Sequence, residues 1–535
     1  MTDFEWIAIG LNEVAWLGLA FGLGLLARSI GLPPLVGYLA TGFLLSSSGG
    51  ADTALLQKLS DLGITLLLFT VGLKLNLRTL ARPQVWAVAG GHMLISVALF
   101  AALMPVLAGT GYPLFTGQST ESILLIAFAL SFSSTVFVVK ALEDRGEMSA
   151  LYGRIAIGIL LMQDIAAVIF LAISTGKAPS PWAALLLLLI PLRSLLSPLM
   201  TRLGHGELLV LFGFLLALGG AELFELLGLK GDLGALILGV IVASHSRADE
   251  LAKAMLGFKD LFLLGFFLSV GLSGPLTADA FWIAALLAPL VLIKGVLFFF
   301  ALVRSGMRAR SSLLASSNLT NYSEFGLIVA ALCVERGLLA SEWLVVLAIT
   351  LALSYVIAAM LNVVVDRIYT DNPGFWRRFQ RAQLIADDQF INLGRARIAV
   401  IGMGGVGTGA YDELHRKYGA TVVGVDIDPV TVVNQQAAGR TVYRGDPSDA
   451  DFWDRIQASH TLELVLLSLP VAQKTLAVIN RLRDSGFAGQ VVATAKFPDE
   501  AEALLKAGAS SVYNVYAEAG VGLAGHASEQ APQPS

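Results

Sequence analysis

Residues 159–170 read ILLMQDIAAVIF, an apolar segment interrupted at its centre by Gln163 and Asp164. A charged side chain at the centre of a membrane helix costs about 3 kcal/mol on insertion scales, so intramembrane carboxylates usually mark an ion or proton path. The whole chain has 535 residues, of which 56% are hydrophobic and 14% are charged. Soluble globular proteins do not have this composition. The sequence therefore predicts an integral membrane protein with this segment inside the bilayer.

The apolar composition ends near residue 366, and a normal density of charge follows. This change predicts a transmembrane domain over 1–366, a linker over 367–395, a soluble domain over 396–518 and a disordered tail over 519–535. The net charge of −4 is too small to indicate a protein that binds nucleic acid.

A bilayer crossing needs about 20 apolar residues, or fewer in a short or broken segment. Cytoplasmic loops are rich in Lys and Arg, and alternate connections between the predicted spans carry fifteen basic residues on one side and four on the other. Arg377 and Arg378, at the start of the soluble part, lie on the rich side. We therefore expect the N-terminus outside and the C-terminal domain in the cytoplasm. The thirteen predicted spans are about 6–27, 34–49, 60–78, 85–107, 121–140, 154–174, 182–200, 207–227, 232–245, 259–275, 279–303, 312–335 and 341–366.

Three further polar features fall inside predicted spans. The twelfth span contains Asn321 and Glu324. Seven spans earlier, the fifth span contains a cluster of hydroxyl side chains. Paired interruptions of this kind are typical of inverted-repeat transporters, in which unwound helices form an ion site near the midplane; packing of small residues is the structural alternative. Lys294 lies far from both interfaces, so we expect it to pair with a carboxylate, either Asp164 or Glu324. The hydroxyl cluster consists of Ser131, Ser133, Ser134 and Thr135.

Together these residues are the minimum apparatus for exchanging H⁺ against an alkali cation. The Asp164 carboxylate binds either a proton or a cation, and hydroxyl, amide and carbonyl oxygens are the ligands that a hard monovalent cation prefers. The alternative at Asp164 is a buried carboxylate with a purely structural role. The spacing of the ligands does not separate K⁺ from Na⁺.

Residues 397–409 read RIAVIGMGGVGTG, a short apolar strand that runs into the pattern Gly402-x-Gly404-x-x-Gly407. A second strand ends at Asp426, 24 residues after the first glycine, where an acidic side chain can accept the ribose hydroxyls of a nucleotide. The alternation of strands and helices that follows predicts a single Rossmann unit, either with a bound nucleotide or with an empty site. The candidate nucleotide-binding residues are Gly402, Met403, Gly404, Gly405, Val406, Gly407, Asp426, Ile427 and Asp446.

The chain resembles the Kef-type potassium efflux systems of the monovalent cation:proton antiporter-2 family over nearly its whole length. Its glycine-rich domain resembles an RCK domain of the TrkA-N type. The Gln163-Asp164 pair is the most specific of the matching motifs. The matching stretches are LPPLVGYLATGFLL (32–45), DLGITLLLFTVGL (61–73), ALSFSSTVFVVKALEDRG (129–146), GRIAIGILLMQDIAAV (153–168), LGALILGVIVASHSRADEL (233–251), FKDLFLLGFFLSVGLS (258–273) and SEFGLIVAAL (323–332).

The resemblance implies a homodimer in the bacterial inner membrane, with an NhaA-like inverted repeat, a scaffold half and a moving core half. It implies crossed broken helices at the fifth and twelfth spans. It also implies that Asp164 is the exchanged carboxylate, and that Gln163 and the hydroxyl cluster help to ligate K⁺. The RCK domains are expected to pair and bind AMP or NAD(H), and an ancillary regulatory subunit is a further implied partner.

We therefore expect a K⁺/H⁺ antiporter regulated by a nucleotide, rather than an enzyme. A Na⁺/H⁺ antiporter is one alternative. A ligand-gated K⁺ channel is another, but it needs a carbonyl selectivity filter, and the sequence contains no TVGYG-like stretch. A membrane redox enzyme is the most distant alternative, since the sequence offers no second nucleotide-binding domain.

Overall fold

The protein is described from a computed structural model. The described residues are 11–530 except 47–52, 75–81, 146, 148–149, 175–195, 197, 205, 228–230, 246, 386–387, 390–392, 394, 446, 448–451, 454–455, 457–460 and 485. The chain divides into two compact units. Unit 1 comprises Met1–Arg145 and Tyr152–Gln383, and unit 2 comprises Gly146–Leu151 and Leu384–Ser535.

Unit 1 is helical, and helices occupy twelve of the thirteen predicted span positions. The remaining position, 182–200, lies mostly outside the described residues. Within the described residues, eight helices are long and apolar enough to cross a membrane, counting α5 with α6 and α11 with α12 as one each. The helices are α1 Leu11–Ser29, α2 Pro34–Ser46, α3 Thr53–Lys74, α4 Pro83–Ala108, α5 Thr120–Ser131, α6 Thr135–Asp144, α7 Leu151–Ser174, α8 Glu207–Leu226, α9 Gly231–Val242, α10 Ala248–Leu272, α11 Ala278–Leu287, α12 Val291–Arg304, α13 Ala309–Leu319, α14 Glu324–Glu335, α15 Glu342–Asp371 and α16 Pro373–Arg377.

The helices of unit 1 pack in two groups. One group contains α1, α2, α3, α8, α9 and α10, and the other contains α4 to α6 and α11 to α15, with a smaller contact between α10 and α15. Gln163 joins α7 to the second group by hydrogen bonds to Ser131 and Ser133. Backbones approach closely within the first group at glycine pairs, since a Cβ on Gly42 would meet the backbone of Gly271 and a Cβ on Gly72 would meet that of Gly239. Small residues at such crossings let membrane helices pack by direct van der Waals contact.

Two helices in the second group are broken in the middle. After α5 the chain is extended at Phe132 and Ser134, and Ser134 caps α6 by accepting a hydrogen bond from Phe137 N. After α13 the chain unwinds at Thr320, and Ser323 caps α14 by accepting a hydrogen bond from Phe325 N. These breaks fall at the polar clusters from which the sequence predicts unwound helices.

Two helices differ from the predicted spans for identifiable reasons. The span predicted at 279–303 is divided by a 3₁₀ turn, Ala288–Leu290, because Pro289 cannot donate a helical hydrogen bond. Helix α10 begins at Ala248 rather than 259. Hydropathy detects where the apolar part of α10 begins. It does not detect the charged residues before it, which are helical as well.

Unit 2 contains a six-stranded parallel sheet with the order β3-β2-β1-β4-β5-β6, the strand order of a Rossmann fold. Its core contains Ile401, Val425, Leu467 and Ala493, one from each of the four central strands. The strands are β1 Ile398–Ile401, β2 Val422–Asp426, β3 Val442–Arg444, β4 Leu464–Leu467, β5 Gln490–Ala495 and β6 Ser511–Asn514; the helices are α17 Gly405–Tyr418, α18 Pro429–Ala437, α19 Ala472–Asp484, α20 Pro498–Lys506 and α21 Val515–Gln530.

The end of the chain differs from the prediction of a disordered tail from residue 519. Helix α21 continues through Gln530, and residues 531–535 lie outside the described residues. The stretch AEAGVGLAGHASEQ is short of large apolar side chains, which argues for disorder, but its alanines are strong helix formers.

Candidate functional site

The two broken helices cross at their unwound segments. The Ser133 hydroxyl donates to the carbonyl of Leu319 at 2.8 Å, and Ser134 N donates to Asn321 Oδ1 at 2.6 Å. A Cβ on Gly326 would collide with the carbonyl of Ala129, so the two helices touch backbone to backbone. Backbone groups that a continuous helix would satisfy are thus satisfied by the partner segment, as unwound backbone inside a membrane requires.

Lys294 lies at this crossing, fully buried. Its Nζ donates to the carbonyls of Phe132 and Asn321, so one ammonium group binds both unwound segments. The predicted pairing with a carboxylate is wrong for the described residues, since no described carboxylate lies within ion-pair distance of Nζ. Carbonyls at the C-terminal ends of α5 and α13 carry partial negative charge, and they satisfy the cation in place of an acid.

Gln163 connects α7 to the unwound segment between α5 and α6 by hydrogen bonds. Its Oε1 accepts from Ser133 N at 2.9 Å, and its Nε2 donates to the carbonyl of Ser131 at 3.4 Å. The Ser131 hydroxyl itself turns back to the carbonyl of Phe128 at 2.7 Å. The side chain of Gln163 therefore positions the unwound backbone beside the carboxylate that follows it on α7.

Asp164 is buried, with 1% of its surface exposed. Its Oδ2 accepts from the Thr135 hydroxyl at 3.3 Å, whereas its Oδ1 has no hydrogen-bond partner. Buried polar atoms normally have partners, and one that does not needs an explanation. A proton on the carboxyl group or a cation against it supplies that explanation.

A cavity of about 220 Å³ adjoins Asp164. Thr135 and Glu324 also line it, and Glu324 is buried with its Oε1 unpartnered. Charged residues of three helices, which the sequence did not single out, also line the cavity. They are Lys74 on α3, Lys140 and Glu143 on α6, and Lys259 and Asp260 on α10.

The sequence contains one signal that could have found these residues. Each of them lies at the end of a predicted span on the side that is rich in Lys and Arg. The predicted site residues divide between two roles: Asp164, Thr135 and Glu324 line the cavity, while Ser131, Ser133, Ser134, Asn321, Gln163 and Lys294 hold the crossing in place.

In unit 2 the glycine pattern lies between β1 and α17, and its three glycines have different roles. Gly402 has φ +90°, and a Cβ there would collide with the carbonyl of Ser468 at the end of β4. A Cβ on Gly407 would collide with the carbonyl of Gly402. Packing therefore requires glycine at the first and third positions. At the second position, Gly404, no atom lies within 4 Å of a would-be Cβ, which leaves open space beside the first turn of α17.

Asp426, at the end of β2, lies beside this loop. Its Oδ2 accepts from Met403 N at 2.7 Å, and its Oδ1 accepts from Asp428 N at 2.9 Å. The side chain of Met403 is buried, with its sulfur under Gly424. Of the other predicted nucleotide-binding residues, Ile427 is 53% exposed, and Asp446 lies outside the described residues.

A pocket of about 550 Å³ opens at this edge of the sheet, a volume within the usual range of about 300–1,000 Å³ for small-molecule sites. Six of the predicted nucleotide-binding residues line it, whereas Gly407 lies beneath the loop. The six are Gly402, Gly404, Gly405, Val406, Asp426 and Ile427. Sequence reasoning missed the lining residues from later strand ends and helices. These include Ser468, Thr494, Lys474, Lys496 and Tyr516. The ends of β4 and β5 could have indicated some of them, because the strands of a parallel sheet all end at the edge where ligands bind.

Comparison with known proteins gives two family matches. Residues 17–363 match the family described as sodium/hydrogen exchanger, transmembrane, and residues 398–515 match the TrkA-N domain. The first match covers more than half of the chain.

Solved structures similar to the chain include one transporter and two isolated domains. The sodium proton antiporter MjNhaP1 from Methanocaldococcus jannaschii is 13% identical with a TM-score of 0.45, over 70% of this chain and 98% of that one. The TrkA-N domain of inner membrane protein ybaL from Escherichia coli is 17% identical with a TM-score of 0.22, over 24% and 93%. The NAD(P)-binding domain of an exopolyphosphatase-related protein from Archaeoglobus fulgidus is 21% identical with a TM-score of 0.24, over 25% and 98%.

Proposed function

The chain belongs to the sodium/hydrogen exchanger family, and on that premise we propose that it exchanges K⁺ for H⁺ at Asp164 and that a nucleotide bound to its TrkA-N domain regulates the exchange. The observation that carries the proposal is the unpartnered, buried Oδ1 of Asp164 beside a cavity at the crossing of two broken helices. The proposed protein is a homodimer of the bacterial inner membrane with its C-terminal domain in the cytoplasm. The fifteen-to-four distribution of basic residues supports that orientation.

The mechanism follows from mutually exclusive occupancy of one carboxylate. When Asp164 is deprotonated, its Oδ1 binds the cation, and the Thr135 hydroxyl is positioned to supply a second oxygen ligand. A proton that binds the carboxylate displaces the cation. Exchange requires that the site open to the two sides of the membrane in turn, and the two helix groups of unit 1 supply two bodies that can move relative to each other.

Lysines around the cavity shape the path that a cation would take. Lys74, Lys140 and Lys259 repel a cation, and Glu143 and Asp260 attract one. Lys259 is satisfied by Asp260, with Nζ and Oδ1 3.0 Å apart. All five belong to the Lys- and Arg-rich side of the predicted topology, so we assign this cavity to the cytoplasmic access route.

The K⁺ specificity is tested by varying the driving cation. In proteoliposomes with a trapped pH dye, we expect K⁺ to half-saturate proton movement at a lower concentration than Na⁺ or Li⁺. The choice of K⁺ rests on the resemblance to potassium efflux systems. If Na⁺ is the better substrate, the chain is a Na⁺/H⁺ antiporter that uses the same carboxylate.

The nucleotide site is tested by filling the open space at Gly404. We expect Gly404→Val to reduce binding of NADH, AMP or ADP to the full-length protein at least about tenfold, because the side chain blocks the approach of a phosphate to the first turn of α17. Folding should persist, since no atom lies within 4 Å of the added Cβ. The measurement is calorimetric titration with each nucleotide.

Gly409→Val is the matched control for this experiment. Gly409 lies on the same helix, its would-be Cβ also meets nothing within 4 Å, and it does not line the pocket. Binding that is lost equally in both variants would point to damage to α17 and would remove the support for a phosphate at Gly404. Wild-type protein that binds none of the nucleotides would overturn the regulatory part of the proposal.

A further inference from the structure

A second cavity in unit 1, of about 310 Å³, lies beside the broken helix α13. Rings from two elements form its walls: Phe299 and Phe300 come from α12, and Phe375, Trp376 and Phe379 come from α16 and the residues after it. The rings interlock edge to face, with centroids 5.3 Å apart for both Phe299–Trp376 and Phe300–Phe379. The cavity is therefore an apolar chamber built on aromatic contacts.

The floor of this chamber is formed by α13, one of the helices that end at the crossing. Ser316, Ser317 and Thr320 of α13 and its C-terminal cap line it, and their hydroxyls all donate to backbone carbonyls of the preceding turn. Since these hydroxyls are satisfied internally, they present an apolar surface to an occupant. Thr320 directly precedes Asn321, which binds both Ser134 N and Lys294.

Positive charge lies beside one aromatic wall of the chamber. The guanidinium of Arg378 lies 4.0 Å from the centre of the Phe375 ring and 4.8 Å from that of Phe379, so it is held against two wall residues. Arg377 is its exposed neighbour, and Arg304, also exposed, follows Phe300 by one helical turn on α12. Within the described residues, none of these three arginines pairs with a carboxylate.

The position along the chain places this wall at the membrane surface. Helix α15 has 30 residues, more than one crossing needs, and α16 follows it after a single residue. Trp376 donates its indole N–H to the carbonyl of Ile368 at 2.9 Å, and tryptophan is enriched at the boundary of lipid and water. An apolar chamber with an arginine held against its aromatic wall at that depth matches a molecule with an acyl chain and an anionic head.

We infer that this chamber binds an anionic phospholipid, with an acyl chain against α13 and the phosphate at Arg378. The site also has a route to the exchange machinery, because Gln380 Oε1 accepts from Ala309 N, the first residue of α13, at 3.0 Å. An occupant that orders the aromatic segment therefore steadies α13 from both its first turn and its C-terminal cap. The effect of the lipid on exchange rests on the proposed function; its binding does not.

Native mass spectrometry of the delipidated full-length protein tests the binding. We expect phosphatidylglycerol to bind more tightly than phosphatidylcholine, and Arg378→Gln to weaken phosphatidylglycerol binding about fivefold, the value of one arginine contact to an anionic headgroup. Val296→Trp should also weaken it, because Val296 lines the chamber, is 53% exposed and can accept a large side chain without repacking. Arg202→Gln, at an exposed arginine that makes no contact with the wall rings of the kind Arg378 makes, should leave binding unchanged.

Three results would overturn the inference: equal binding of phosphatidylcholine, unchanged binding in both Arg378→Gln and Val296→Trp, or full displacement of the lipid by inorganic phosphate. In a second measurement, phosphatidylglycerol in the liposomes should increase the exchange rate of the wild type more than that of Arg378→Gln. Selective lipid binding in a protein that exchanges no cation in any liposome would leave the lipid site standing and refute the proposed function instead.

Discussion

Replacing Asp164 with Asn is expected to reduce cation-driven proton movement to the level of liposomes without protein. The amide has the shape of the carboxyl group and can still accept from the Thr135 hydroxyl, which now lies 3.3 Å from Oδ2, so the fold should persist. It can neither release a proton nor present a negative charge to a cation. Because Asp164 is the proposed carrier of both substrates, its loss stops both half-reactions.

Glu342→Gln is the matched control, since Glu342 is an exposed carboxylate in the first turn of α15 that does not line the cavity. It should exchange like the wild type. Elution of all three proteins at the same volume in size-exclusion chromatography establishes that a loss of exchange is not a loss of folding. Exchange that survives in Asp164→Asn would assign the carboxylate a structural role and leave Glu324 as the remaining buried acid in the cavity.

The second large effect is expected at Lys294. Lys294→Met retains the length of the side chain but leaves the carbonyls of Phe132 and Asn321 without their donor. A buried acceptor without a partner costs about 1–3 kcal/mol, and two are created. Removal of a buried ammonium offsets part of that cost, so we expect a net loss of about 2 kcal/mol in the free energy of unfolding.

The measurement is the thermal unfolding midpoint in detergent, which should fall. The exchange rate should fall too, because the crossing of the broken helices positions the residues around Asp164. Lys58→Met is the control, at an exposed lysine on α3. A midpoint for Lys294→Met at or above that of the wild type would mean that burial of the ammonium costs more than its two hydrogen bonds return. In that case Lys294 would not be the bond between the broken helices.

The sequence predicts the breaks in the helices better than the contacts between them. Clustered hydroxyl and amide side chains at membrane depth indicate unwinding, and α5 ends at Ser131 and α13 at Leu319 as that reasoning requires. The resemblance to cation:proton antiporters with a TrkA-N domain is confirmed by the matches over residues 17–363 and 398–515. In unit 2, the glycine spacing and the position of Asp426 predict one edge of the pocket, because that edge is built from the ends of the first two strands, which pair with each other.

The errors at the two sites have a common cause, which is that they concern partners distant in the chain. The sequence shows that Lys294 needs acceptors, but not that two unwound segments offer carbonyls nearer than any acid. The charged lining of the first cavity comes from three helices, α3, α6 and α10, and only packing brings these residues together. Likewise, Lys496 and Tyr516 join the glycine loop at the nucleotide pocket through the strand order.

The most direct test of exchange is whether cation and proton movements are coupled in the wild-type protein. Proteoliposomes with a trapped pH dye are given a K⁺ gradient while the membrane potential is clamped at zero, so that no voltage drives protons through leaks. The account predicts that K⁺ moving in one direction drives protons in the other, and that a proton gradient drives K⁺ in return. K⁺ flux without any proton movement would contradict it and would identify the protein as a channel.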